Sequence, residues 1–244
     1  MKKAIKYGLI SIIGLMVIAF GGFYIWSEQT YKPSDELYSF VGKGNIKKEN
    51  GFVTFQPTKS KKVGIVLYPG AKVEPEAYSY YAKELAKDGY TVVIPEVRFN
   101  FALFDKNRAE KVKNAYPSVE KWYVGGHSLG GVAAAAYAYE NPREVEGIIF
   151  LGSYPSDSND FSKTKVPMLS LYAEYDGLSK VEKFEETKHL FSKEANMHKI
   201  AGGNHAQFGL YGKQKGDNEA TISAKEQQEE MIVVTKKWLH GNGE

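Results

Sequence analysis

The chain has 244 residues, of which 43% are hydrophobic and 25% charged, a balance typical of one folded domain rather than of a disordered chain. The chain has 32 Lys and Arg and 29 Asp and Glu, which gives a net charge of +3, and Lys2, Lys3 and Lys6 account for all of it. The rest of the chain is therefore neutral, unlike a nucleic-acid-binding protein. Without cysteine, the chain has no disulfide, no thiol nucleophile and no Cys-ligated zinc.

The first segment predicts a membrane helix. Residues 7–26 are uncharged and rich in Ile, Leu, Val and Phe, and as a helix they would span about 30 Å, the thickness of a bilayer's hydrocarbon core. The lysines before this run favour a cytoplasmic start, and Tyr24 and Trp26 suit the opposite interface. We therefore expect residues 1–27 to be a single-pass anchor in the cell membrane, with the rest of the chain outside the cytoplasm. The alternative is a signal peptide cleaved near 19–22, after which the protein would be secreted.

The segment 28–51 is interpreted as a polar connector. Pro33, Gly42 and Gly44 interrupt any regular pattern there. The folded domain is expected to occupy residues 52–244.

From residue 52 onward, short apolar runs alternate with segments of helical periodicity. The predicted strands are 52–56, 63–68, 90–94, 122–125, 147–151, 168–172 and 197–200. The predicted helices are 75–88, 102–115, 129–140, 181–191 and 219–240. This alternation predicts an α/β fold with a mainly parallel sheet and helices on both faces.

One motif predicts a catalytic serine. Residues 126–130 (GHSLG) follow the pattern Gly-x-Ser-x-Gly and lie between a predicted strand and a predicted helix, as the motif requires. A sharp turn at this point would lift the Ser128 hydroxyl above the sheet at a helix N-terminus. Side chains in place of the two glycines would collide with the neighbouring strand and helix. The alternative is a glycine-rich turn with an incidental serine.

A serine hydroxyl becomes a strong nucleophile when a base takes its proton and an acid orients that base. Both candidates follow predicted strands, at the sheet edge where α/β folds place their sites. Asp176 is the expected acid, with Glu174 and Asp157 as alternatives, and His205 is the expected base. The other histidines are not expected to be the base. His127, next to the serine, is interpreted as a packing or hydrogen-bonding residue, whereas His189 falls on a charged helix, His198 within a strand and His240 near the C-terminus.

Two backbone N–H groups are expected to form an oxyanion hole. One belongs to Leu129, directly after the serine, and the other to Ala71, in the loop after the strand 63–68. Gly70 would let this loop approach a substrate closely, although a plain Pro-Gly turn is the alternative. Residues 98–101 (RFNF) are either an aromatic wall near the serine or part of the core.

At this point the sequence resembles the α/β-hydrolase superfamily, and most closely the small bacterial alpha/beta hydrolase fold-5 group. The likeness covers roughly residues 62–240, and four segments carry it: 68–78 (YPGAKVEPEAY), 125–131 (GGHSLGG), 173–178 (AEYDGL) and 202–212 (GGNHAQFGLYG).

The resemblance implies Ser128 as nucleophile, Asp176 as acid and His205 as base, with the N–H groups of Ala71 and Leu129 as oxyanion donors. The family often has glycine where this chain has Ala71. The alanine keeps the backbone N–H in place and narrows the entrance to the site. Larger members carry a helical cap after the strand 147–151, in an interval where this chain has only about fourteen residues. The resemblance therefore implies little or no cap.

These features predict a serine hydrolase that cleaves an ester-type acyl bond through an acyl-enzyme intermediate. The expected substrate is a small-molecule or cell-envelope ester, and the membrane is the other expected partner, through residues 7–26. A thioesterase, peptidase or acyltransferase of the same fold is an alternative, as is a membrane-tethered binding module without activity. No His-Glu-x-x-His pattern, Walker loop or dinucleotide fingerprint is present, so neither a metal nor another cofactor is expected.

Overall fold

The computed structural model describes residues 2–242. Its helices are α1 (Lys2–Ser27), α2 (Asp35–Val41), α3 (Ser79–Lys87), α4 (Arg108–Ala115), α5 (Leu129–Glu140), α6 (Val181–Thr187) and α7 (Ala224–Asn242). Its strands are β1 (Lys48–Glu49), β2 (Phe52–Phe55), β3 (Val63–Tyr68), β4 (Tyr90–Pro95), β5 (Lys121–His127), β6 (Gly147–Leu151), β7 (Met168–Ala173) and β8 (Ala195–Ile200).

The described strands form one sheet in the order β1-β2-β4-β3-β5-β6-β7-β8. The β1–β2 and β2–β4 pairs are antiparallel, and every later pair in that order is parallel. Because β3 to β8 run in one direction, the loops after their last residues meet at one edge of the sheet, called the carboxyl edge below. The predicted mainly parallel sheet is confirmed.

Helices cover both faces of the sheet, as the sequence predicted. Ile65 and Leu67 of β3 are buried in a cluster with α2, α3 and α7, whereas Val66 and Tyr68 are buried in a second cluster with α4, α5 and α6. Successive side chains of a strand point to opposite faces, so a continuous apolar strand supplies both clusters. Burying such an aliphatic side chain stabilises the fold by roughly 1.5–3 kcal/mol.

The segment 28–51 differs from the expected irregular connector, because it contains α2 and β1. Leu37 and Val41 are 0% and 2% exposed, in the cluster with α3 and α7. Asp35 and Glu36 lie in the first turn of α2, where negative charge is favourable. A two-turn helix is too short for its apolar period to be recognised in the sequence, and its stability comes from tertiary burial.

Helix boundaries also differ from the prediction. The helix predicted over 75–88 becomes regular only at Ser79, and the one predicted over 181–191 ends at Thr187, before a short 3-10 turn. The last helix begins at Ala224 rather than near 219, because Ser223 and Glu226 form a capping box. In it the Ser223 N–H donates to Glu226 at 2.8 Å, and the Glu226 N–H donates to the Ser223 hydroxyl at 3.2 Å. The helix predicted over 102–115 becomes regular only at Arg108, after a short 3-10 turn. The interval 152–167 holds no helix or strand, consistent with little or no cap.

The predicted N-terminal helix is present as α1. Its part Leu9–Ser27 has a mean hydropathy of 2.2 and is exposed over most of its length, with only Ser27, at its end, buried in the protein. A core helix of a soluble domain would be mostly buried. The length and apolarity of α1 suit a membrane anchor or a signal sequence.

Leu37→Ala tests whether α2 belongs to the folded core. We expect the free energy of unfolding to fall by about 2–5 kcal/mol, because the side chain is fully buried and its removal leaves a cavity. Urea unfolding of the full chain in mild detergent, followed by tryptophan fluorescence, measures the change. Val233→Ala is the matched control, since Val233 is 65% exposed on α7. Equal stability of the two variants would contradict the burial.

Candidate active site

Ser128 is the single residue between β5 and α5. Its backbone has φ +53° and ψ −125°, a conformation that residues with a side chain rarely adopt. Two hydrogen bonds hold it there: its N–H donates to the Leu151 carbonyl at 3.0 Å, and its carbonyl accepts from the Ser153 hydroxyl at 2.7 Å. The turn leaves Ser128 half-buried at the carboxyl edge.

The glycines beside the serine are required by close contacts. A Cβ at Gly126 would lie 2.3 Å from the carbonyl carbon of Gly130. A Cβ at Gly130 would lie 2.4 Å from the carbonyl oxygen of Tyr68, in β3. The predicted collision with the neighbouring strand and helix is therefore confirmed.

Asp176 and His205 are brought together at the same edge. The Asp176 Oδ2 and the His205 Nδ1 are 2.7 Å apart, and the two residues are 3% and 0% exposed. The other oxygen of Asp176 accepts from the N–H groups of Leu178 and Ser179, at 2.9 and 2.5 Å. Because an ionised carboxylate only accepts, the imidazole Nδ1 carries the hydrogen and Nε2 is left as an acceptor.

The imidazole of His205 lies beside the turn that carries the serine. Its ring centroid is 4.5 Å from that of His127, the residue directly before Ser128. Within residues 2–242, the buried Nε2 of His205 has no hydrogen-bond partner, so it does not bond to the Ser128 hydroxyl in this structure. The structure thus joins Asp176 to His205 and places the His205 ring beside His127, the neighbour of Ser128.

The alternative acids do not contact His205. Glu174 is exposed, and its carboxylate accepts from the Gly202 N–H at 3.0 Å. Asp157 is also exposed. The remaining histidines contact other groups: His189 the Glu186 carbonyl, His198 the Glu230 carboxylate and His240 the Asp88 carboxylate.

His127 links the serine turn to the loop after β3. The Gly70 N–H donates to the Tyr78 hydroxyl at 2.9 Å, and that hydroxyl lies 2.9 Å from the His127 Nδ1. An N–H group can only donate, so the hydroxyl hydrogen is free to point at Nδ1. A Cβ at Gly70 would come within 2.7 Å of the same nitrogen, so this glycine permits the contact. Helical spacing alone did not distinguish Tyr78 from a core residue.

Burial keeps this link uncharged. Desolvation lowers the pKa of His127 well below its usual range, and the nearby His205 lowers it further. Desolvation also raises the pKa of Tyr78 well above its usual range. No fixed positive charge therefore stands at His127 to oppose protonation of His205.

The expected oxyanion donors lie at the carboxyl edge with free hydrogens. In the part of the chain that the structure describes, the N–H groups of Ala71 and Leu129 have no hydrogen-bond acceptor. Leu129 is the first residue of α5, where N–H groups lack partners within the helix. The two groups are available to an anionic oxygen, and their role stays a prediction.

Asp217 is a site residue that the sequence did not indicate. Its carboxylate accepts from the N–H groups of Gly177, at 2.9 Å, of His205, at 3.3 Å, and of Ala206, at 2.8 Å. It thereby ties the loop after Asp176 to the loop of His205. Its Gly-Asp-Asn context is that of an ordinary turn, so no local signal separates it from a turn aspartate.

The strained Ser128 and the buried pair Asp176 and His205 are the residue types that nucleophilic catalysis by serine uses. Among residues 2–242, no three His, Asp or Glu side chains lie close enough together to hold a metal ion.

Comparison with known proteins agrees with the observed fold. The sequence profile of the Alpha/beta hydrolase family matches residues 64–229. A solved structure described as a predicted CIB-like hydrolase from Thermoplasma acidophilum has a TM-score of 0.59 at 16% identity, over 79% of this chain and 98% of that one. MGS-MChE2, an alpha/beta hydrolase enzyme from the metagenome of lagoon sediments of Mar Chica, Morocco, has a TM-score of 0.61 at 18% identity, over 82% and 99%. No curated protein matches the sequence significantly.

His127→Asn tests the buried neutral histidine. In the unfolded chain this histidine binds a proton below about pH 6.5, whereas in the folded protein its pKa is depressed. The unfolded state therefore gains more protons as the pH falls, and the wild type loses stability by at most about 1.4 kcal/mol per pH unit from this group.

Unfolding free energies of the wild type and His127→Asn between neutral and mildly acidic pH measure the effect. The difference between the two proteins should shift in favour of the variant as the pH falls below about 6.5. Parallel pH profiles would mean that His127 is protonated equally in both states.

Proposed function

The chain belongs to the alpha/beta hydrolase family, and we propose that it is a serine hydrolase that cleaves an ester-type acyl bond. The observation that carries this proposal is the buried 2.7 Å contact between Asp176 and His205, beside the strained turn of Ser128. A buried carboxylate holding Nδ1–H leaves Nε2 as the base, which is the state that nucleophilic catalysis by serine requires.

In the proposed reaction, the Ser128 oxygen attacks the carbonyl carbon of the ester while His205 Nε2 takes its proton. The carbonyl electron pair moves to oxygen, and the N–H groups of Ala71 and Leu129 donate to that anion. Asp176 stabilises the imidazolium. The bond to the alcohol oxygen then breaks, and His205 returns the proton to the leaving alcohol.

The second half repeats these steps with water. His205 takes a proton from water, whose oxygen attacks the acyl carbon on Ser128. The oxyanion is held by the same two N–H groups. The bond to the serine oxygen breaks, the serine regains the proton from His205, and a carboxylic acid leaves.

Asp217 is proposed as a positioning residue. It bonds to backbone on both sides of the Asp176–His205 pair and does not reach the reacting atoms. Its three contacts fix the distance between two loops that share no secondary structure. Small displacements of a catalytic base cost rate, because the reaction requires near-attack geometry.

The same proposal places the domain outside the cytoplasm on an uncleaved anchor. Three lysines before the apolar run favour a cytoplasmic start. The end of α1 packs on the domain: the Trp26 and Phe101 rings stack with centroids 5.6 Å apart, and the Phe23 and Phe99 centroids are 5.7 Å apart. Cleavage near 19–22 would leave Phe23 and Trp26 in place and remove most of the helix that carries them.

Ser128→Ala is expected to abolish labelling by a fluorophosphonate probe, because the probe reacts with an activated serine oxygen. The matched control is Ser158→Ala, which alters an exposed serine. A folded wild type that stays unlabelled would favour the binding module over the enzyme.

His205→Ala should lower turnover of p-nitrophenyl acetate by about 10⁴-fold or more, because the serine then has no base. His189→Ala, at a histidine on the surface, should leave it unchanged. Unchanged turnover in His205→Ala would assign the base elsewhere.

Asp217→Asn should lower kcat by about 10–100-fold with little change in KM. The amide nitrogen that replaces one carboxylate oxygen cannot accept a hydrogen bond from a backbone N–H, so His205 would be misplaced. Turnover is measured per active site titrated with the fluorophosphonate, so that misfolded protein is not counted. Asp160→Asn is the control, since Asp160 accepts from the Ser162 N–H at 2.8 Å in an exposed turn. A rise in KM alone would contradict the positioning role.

A further inference from the structure

Exposed apolar side chains lie in two loops at the carboxyl edge, and the end of α1 contacts the first of these loops. Leu103 and Phe104, in the loop after β4, are 44% and 54% exposed. Tyr175 and Leu178, in the loop that carries Asp176, are 40% and 42% exposed. Single exposed apolar residues are ordinary, but large ones beside an apolar helix indicate an interaction surface. The loop residues Phe99, Phe101, Leu103 and Phe104 are called the docking face below.

The contacts of α1 set the height of this face relative to a bilayer. The Phe20 and Phe99 centroids are 5.9 Å apart, and the Phe23 and Phe104 centroids are 6.1 Å apart. Phe20 lies seven residues before Ser27, the last residue of the apolar span. Along a helix that is about 10 Å. If Leu9–Ser27 crosses the hydrocarbon core, the docking face reaches below the surface of the outer leaflet.

The docking face is joined to the loop that carries Ala71. The Lys72 N–H donates to the Asn100 carbonyl at 2.8 Å, and the Asn100 side chain donates to the Ser27 carbonyl at 3.1 Å. The Lys72 ammonium lies 4.1 Å from the centroid of Trp26. The residue next to Lys72 is the proposed oxyanion donor, so the site opens beside the membrane.

We infer that the docking face rests in the outer leaflet and that the site draws its substrate from there: an ester of an amphiphile whose apolar part stays in the bilayer. This inference rests on the proposed function for its chemistry and on α1 as an anchor for its geometry. The occupant of the face is lipid, because the face contacts a helix whose span Leu9–Ser27 is uncharged and has a mean hydropathy of 2.2.

The absence of cysteine allows a direct test of position. Phe104→Cys in the full chain is labelled with an environment-sensitive nitrobenzoxadiazole and reconstituted in vesicles of phosphatidylcholine and phosphatidylglycerol. Doxyl-labelled lipid should quench this probe, and should leave a probe at Val233→Cys unquenched. Leu103→Cys provides a second labelling position should Phe104→Cys fold poorly.

Activity tests the substrate class. The variant Leu103→Ser/Phe104→Ser should hydrolyse water-soluble p-nitrophenyl acetate as the wild type does. Its hydrolysis of p-nitrophenyl palmitate embedded in the same vesicles should fall by about tenfold or more, because two apolar side chains no longer enter the leaflet. Met197→Ser/Val233→Ser, which alters exposed apolar residues outside the docking face, is the matched control.

Lipid insertion of the docking face is overturned if doxyl-labelled lipid does not quench the probe at 104. It is also overturned if burial of the probe depends only on protein concentration, which would indicate contact between copies of the chain. Equal loss on both esters, or no loss on the embedded one, overturns the substrate class. A quenched probe on a protein that hydrolyses neither ester overturns the proposed function and supports the docking face alone. The failures of the two proposals are thus separate.

Discussion

The hydrogen bond between the buried Asp176 and His205 is the contact on which the rest of the site depends. Neither residue belongs to a strand or helix, so the pair needs support from its surroundings. Backbone N–H groups of Leu178 and Ser179 occupy the second oxygen of Asp176, and Asp217 bonds to the backbone on both sides of the pair. A buried charged acceptor with all its partners supplied is stable, whereas one left unpaired would be costly.

Backbone strain is concentrated at the same edge. Among the described residues other than glycine, positive φ values occur at Lys72 (60°), Phe99 (56°), Asn100 (57°) and Ser128 (53°) in carboxyl-edge loops, and at Asn50 (54°) and Lys62 (59°) elsewhere. Each such residue costs on the order of 1–3 kcal/mol, which the surrounding contacts must offset. At Ser128 the neighbouring strands supply them, and at Asn100 the hydrogen bonds to Lys72 and Ser27 do so.

The helix α1 and the candidate site are therefore parts of one structure. The chain leaving α1 bonds to the loop after β3, through the Tyr31 N–H and the Lys72 carbonyl at 2.6 Å and through the Glu74 N–H and the Tyr31 carbonyl at 3.0 Å. A flexible tether would need none of these contacts. In the proposed enzyme, the connection fixes the orientation of the carboxyl edge to the membrane and thereby selects which esters reach it.

The sequence by itself determined the α/β class and the helix α1, because both are expressed in local periodicity and apolar runs. It also located the serine turn, because Gly-x-Ser-x-Gly between a strand and a helix is a local pattern, although the contact that requires Gly130 is with Tyr68 of β3. The candidates Asp176 and His205 followed from their places after strands. The tertiary structure decided the contacts between distant segments. These are the burial of α2, the pairing of His205 with Asp176 rather than Glu174, and the hydrogen bonds of Tyr78 and Asp217. These contacts join residues far apart in the chain, and no local pattern encodes them. Asp217, for example, has the sequence neighbours of an ordinary turn aspartate, although it bonds to two separate loops.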